Sequence, residues 1–163
     1  MTTTVTVNRE VVGLFEDRPS FEAVVHHLLQ VGFTRTDLSV LDSHVSLAAA
    51  GAPAVLWKDT LTALVGEIKY EGPLVAVGVI LLAGGPTAAL IAGLIGAATA
   101  GVAAKEVLDE VTSAPDSADF TNALAAGGLI LWINCATPAQ EQQALKLLQQ
   151  FGAGNVHVHE RSS

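Results

Sequence analysis

The segment from Gly72 to Ala104, GPLVAVGVILLAGGPTAALIAGLIGAATAGVAA, runs for 33 residues without one Asp, Glu, Lys, Arg or His. Nothing else in the chain constrains its fold as strongly, because so long an apolar stretch must be buried in protein or set against lipid. Within it Gly85, Ala89, Gly93, Ala97 and Gly101 recur at intervals of four. On a helix such residues form one stripe that lets a second backbone approach closely, a device of packed membrane helices that alanine-rich soluble helices share. These five positions are the candidate helix-packing surface.

Length separates the two settings. As a helix, Pro86 to Ala104 would extend about 28 Å, just enough for a hydrocarbon core of about 30 Å. Gly72 to Gly84 would extend only about 20 Å, too short to cross. One long and one short segment make a poor two-pass hairpin. The run therefore reads either as a re-entrant or interfacial hairpin at a membrane surface, or as a pair of helices buried in protein.

Outside the run the chain reads as two similar halves. In the first, Glu10 to Phe15 is a strand, Pro19-Ser20 opens a helix with Phe21, Val24, Val25, Leu28 and Leu29 at helical spacing, Gly32 stops it, and Leu38 to Leu41 is a second strand. In the second, Gly128 to Ile133 is a strand, and Thr137-Pro138 with Glu141 resembles a capping box that starts a helix striped by Ala144, Leu147, Leu148 and Phe151. Gly152 or Gly154 ends that helix, and Val156 to His159 alternates as a short strand. A pair of such units predicts an α+β fold, a ferredoxin-like split βαβ–βαβ sheet. Residues 1–45 and 127–163 form its two halves, and 46–126 a long helical glycine-rich insertion between them, with the apolar hairpin 72–104 inside it.

The insertion opens with an amphipathic helix over Pro53 to Tyr70, apolar at Trp57, Leu61, Leu64, Val65 and Ile68 and polar largely at Lys58, Asp59, Thr62 and Glu67. Beyond the run come a polar helical end, Lys105 to Glu110, and a short helix within Asp116 to Leu124. The third strand is apolar on both alternating faces, Leu129, Leu131 and Ile133 on one and Ile130 and Trp132 on the other. Both faces therefore need cover. The two βαβ helices cover one, and the insertion or another subunit covers the second.

Composition narrows the function classes. Half the residues are hydrophobic and 15% are charged, which excludes intrinsic disorder. Eight Lys and Arg against sixteen Asp and Glu, a net charge of −8, argue against nucleic acid as a partner. The single cysteine, Cys135, excludes a disulfide scaffold. Met1 to Val7 lacks the basic stretch and apolar core of a secretory signal, so the expected location is cytoplasmic, with association to the inner membrane through the insertion as its variant.

Sites for chemistry are sparse. His157 and His159 stand two apart on a strand and share a face, so the pair could offer two imidazoles to a metal, with His26, His27, His44 or Cys135 as the available third donor. A polar outer face on an edge strand is the plainer reading, since zinc sites generally need three or four protein ligands. His26 and His27 diverge by about 100° on their helix. Cys135 has no CxxC partner and reads as a buried structural thiol. Glu106, Asp109, Glu110, Asp116 and Asp119 lack calcium-loop spacing and read as a solvated acidic face. No phosphate-binding glycine loop is present, and no cofactor is implied.

The stretches VVGLFEDRPSFEAVVHHLLQVGFTRTDLSVL and GGLILWINCATPAQEQQALKLLQQFGAGNVHVHE, on either side of a glycine-rich middle, resemble the bacterial general-stress-protein-like family with an internal glycine zipper. The resemblance covers nearly the whole chain. It implies stress-associated, non-enzymatic and membrane-linked biology, and it carries no catalytic or binding residues over. The expectation is thus a non-catalytic protein that acts by helix packing and self-assembly as a homo-oligomer, at a membrane surface in one version. The alternative is a soluble homo-oligomeric binding module for a metal or small ligand.

Overall fold

The computed structural model describes residues 7–43, 54–74, 78–97, 104–112, 117–126 and 128–162. In chain order the elements are β1 (Val7–Phe15), α1 (Arg18–Gln30), β2 (Leu38–Ser43), α2 (Ala54–Val65), β3 (Ile68–Leu74) and β4 (Gly78–Gly84). They continue with α3 (Pro86–Ala97), α4 (Ala104–Val111), α5 (Ser117–Ala125), β5 (Leu129–Cys135), α6 (Pro138–Gln150) and β6 (Gly154–Ser162). The fold is α+β, with one six-stranded antiparallel open sheet in the order β3-β4-β2-β5-β1-β6 among the described residues. β1 and β2, joined through α1, lie on either side of β5. β5 and β6, joined through α6, lie on either side of β1.

Local signals set both flanking helices. Asp17 accepts from the Ser20 amide at 2.9 Å to cap α1, and Pro19 occupies the first turn, where an N–H has no helical acceptor. α1 and α6 end alike, with the Phe33 amide donating to the Leu28 carbonyl and the Ala153 amide to the Leu148 carbonyl across Gly32 and Gly152. Gly152, then, ends α6, and Gly154 begins β6. The expected box at α6 is displaced by one residue. Thr137 accepts from the Gln140 amide at 3.2 Å and the Gln140 side chain accepts from Ala136, which leaves Glu141 for another partner.

The two sheet faces have separate cores. On one, Val11, Phe15, Val40, Leu81, Leu131 and Ile133 pack against Phe21, Val24 and Leu28 of α1, Leu61 and Leu64 of α2, and Ala144 and Leu148 of α6. On the other, Val12, Leu41, Ile80, Leu82, Ile130 and Trp132 pack against Ile91 of α3, Val107, Leu108 and Val111 of α4, and Phe120 and Leu124 of α5. Helices from the insertion therefore cover the second face of β5. Trp132, fully buried there, donates its indole N–H to the Val111 carbonyl at 2.8 Å.

The insertion is not wholly helical, which corrects the sequence expectation at three points. The helix expected over 53–70 ends at Val65, because Gly66 takes φ +104 and the chain turns into β3. The first part of the apolar run is strand, shared between β3 and β4, rather than a short helix. Val79 and Ile80 favour extended backbone, and with Ile80 and Leu82 in one core and Leu81 and Ala83 in the other, β4 needs apolar residues at every position. Finally, the long helix is replaced by α3, about 18 Å long, and a separate α4, with 98–103 outside the described residues. Among the described residues no helix is long and apolar enough to cross a membrane.

Candidate functional site

Residues directly opposite in an antiparallel pair point to the same side of the sheet. Glu10 of β1 stands opposite Asn134 on β5 and His159 on β6, and Val12 stands opposite Trp132 and His157. These side chains all face the insertion. His157 and His159 therefore share a face, as their spacing predicts, beside a carboxyl group that the sequence did not single out. Glu10 is 1% exposed and accepts a hydrogen bond from the Thr87 hydroxyl in the first turn of α3. An acid placed there meets the positive end of the helix dipole, a physical reason for a glutamate in this core.

The approach of α3 depends on Gly84 and Gly85. Gly84 takes φ +110, and a Cβ at either residue would collide with the carbonyl oxygen of Leu38 or Thr36. The Gly85 amide donates to Leu38 at 2.8 Å, so the chain leaves β4 pressed against the start of β2 and brings Thr87 over the sheet.

His157 donates from Nδ1 to the Asn155 carbonyl at 2.7 Å, since a carbonyl can only accept. Asn155, at φ 48, lies where the β1–β6 register shifts, so a bulge orients this imidazole. The ring lies 5.5 Å from that of Phe120 on α5. Among the described residues no three His, Cys, Asp or Glu side chains gather to hold a metal ion. The third donors considered from sequence are elsewhere: His26 and His27 are exposed on α1, Cys135 belongs to the opposite core, and His44 lies outside the described residues.

Cys135 is buried and donates to the Ile133 carbonyl at 3.4 Å. Burial, and then the negative charge of Glu141, push its thiol from about 9 up to about 12. It stays a thiol at neutral pH and has no nucleophilic character there. Glu141 itself holds Arg9 through two bonds, 2.6 Å to Nε and 3.0 Å to Nη2, and Glu160 holds the same guanidinium at 2.5 Å. The Glu141 hydrogen bonds raise the Arg9 pKa above its ordinary value. Arg18 pairs with the fully buried Asp42 at 3.4 Å. Arg9 and Glu160 are register partners, so only the β1–β6 pairing could have shown that contact in advance.

Among the described residues two of the five stripe positions, Ala89 and Gly93, are exposed. Within α3, Thr87, Ala88 and Ile91 are buried, whereas Ala89, Gly93 and Gly96 are exposed. Among the described residues a Cβ at Gly93 or Gly96 would meet nothing within 4 Å. Gly85 precedes α3 and packs on the sheet, Ala97 closes the helix, and Gly101 lies outside the described residues. Glu106 and Asp109 on α4 and Asp119 on α5 are exposed on the same covering layer, and Asp116 lies outside the described residues. No protein-family model matches the chain, and no curated protein or solved structure matches it either.

Proposed function

We propose that this protein is non-catalytic and acts by self-assembly, joining copies of itself through the outer face of α3. One observation carries the reading: α3 has no charged residue, its single hydroxyl is buried at Thr87, and beyond Pro86 its exposed positions are Ala89, Gly93 and Gly96, flanked by the half-buried Leu90, Leu94 and Ile95. A helix apolar on every side is stable when every side is covered. Each helical glycine also costs about 1 kcal/mol relative to alanine, and at Gly93 and Gly96 no close approach among the described residues makes use of it. A second copy crossing the same stripe about a two-fold axis does make use of it, because a face without side chains accepts its own image. Lipid fits less well, since the fully exposed positions after Pro86 carry no side chain larger than a methyl group and only half-buried side chains such as Leu94 could insert.

Two further parts of the reading rest on separate support. The strands β2-β5-β1-β6 with α1 and α6 make a ferredoxin-like pair of split βαβ units, supported by the interleaving of parallel-running partners around β5 and β1. Residues 46–126 are then the inserted module, contributing two strands and the second helical layer. The stress-associated setting draws on the resemblance to the bacterial general-stress-protein-like family.

Sedimentation velocity on the wild type and on the double variant Gly93→Leu/Gly96→Leu tests the assembly. Among the described residues both added side chains enter open space, so the variant is expected to be a folded monomer whose melting temperature, unlike that of the wild type, does not change with subunit concentration. A monomeric wild type, or an oligomer indifferent to both leucines, overturns the reading. Flotation of the wild type with phosphatidylcholine vesicles would assign this face to lipid instead.

A further inference from the structure

We draw no further inference here: the strongest candidate, the groove at the β1–α1 turn where Glu16 lines both a cavity of about 380 Å³ beside Gly152 and one of about 250 Å³ beside Gly128, takes its charge only from the acidic pair Glu16 and Asp17 at a helix N-terminus, and nothing in the structure shows what covers it.

Discussion

The helices on the two faces of the sheet bury similar apolar cores and present different surfaces to the outside. α1 and α6 carry His26, Gln30, Gln142, Lys146 and Gln149 outward, the ordinary polar face of an amphipathic helix. α3 carries Ala89, Gly93 and Gly96. The first layer is finished in a single chain, with capped helices and a solvated exterior. The second has its inner side finished, and on its outer side the acids of α4 and α5, Glu106, Asp109 and Asp119, stand beside the uncharged, small-residue face of α3. The difference divides the apolar run between β4, which is buried in both cores, and α3, which leaves part of its uncharged surface exposed.

The largest expected effect sets the two cores against each other. Trp132→Ala and Phe21→Ala should each cost about 3–5 kcal/mol, because both remove a fully buried aromatic ring. If urea unfolding of Trp132→Ala leaves the α1/α6 layer as stable as in the wild type by hydrogen exchange, the faces fold independently and the single shared sheet does not couple them. Gly85→Ala should cost about 2 kcal/mol or more, since its Cβ collides with a backbone oxygen, and the loss should appear first as faster amide exchange in α3. Equal exchange across the sheet would remove this residue as the hinge between β4 and α3.

Thr87→Val keeps the shape and deletes the donor to Glu10, with an expected loss of about 1–3 kcal/mol. If Glu10→Gln is as costly in the Thr87→Val background as in the wild type, the two side chains are not coupled. Cys135 tests the other face by pH. Its folded pKa of about 12 exceeds the unfolded value near 9, so the native state keeps a proton that the unfolded state loses. That stabilising contribution is complete below pH 9 and fades as pH rises through 12, a loss of about 1 kcal/mol at pH 10 relative to pH 7. Urea midpoints of wild type and Cys135→Ala should therefore converge between pH 7 and pH 10. Parallel midpoints would show that the thiol is not buried as described. The smallest effect is favourable: Gly93→Ala should stabilise the monomer by about 1 kcal/mol, visible as a melting temperature higher by a few degrees. A lower melting temperature at low protein concentration would mean that this glycine is already packed inside the chain.

The two halves were legible because their signals are local. Asp17 with Pro19, Thr137 with Pro138, and the glycines at 32 and 152 each act on backbone groups within a turn, so the composition of a few residues decides them. The same locality explains the displaced box at α6, where Gln140 and Glu141 are adjacent and either is a plausible partner by type. The run from Gly72 was the least legible part. Without polar residues it has no periodicity to separate strand from helix, and strands β3 and β4 form where a helix is the expectation. Of the candidate site, the shared face of His157 and His159 followed from their spacing, whereas Glu10 and Thr87 are 77 positions apart and meet only through the sheet order.

The sequence by itself determined the strand-helix-strand halves, their caps and stops, and the need to cover both faces of the strand at Leu129 to Cys135. Periodicity and capping are properties of neighbouring residues and survive without a fold. Tertiary structure alone decided that the apolar run divides into a strand at the centre of the β3-β4-β2 edge and a short helix across the sheet. It also decided which side of the glycine stripe faces inward, since a helix apolar all round has no intrinsic inside until the sheet, through Gly84, Gly85 and the Glu10–Thr87 contact, chooses one.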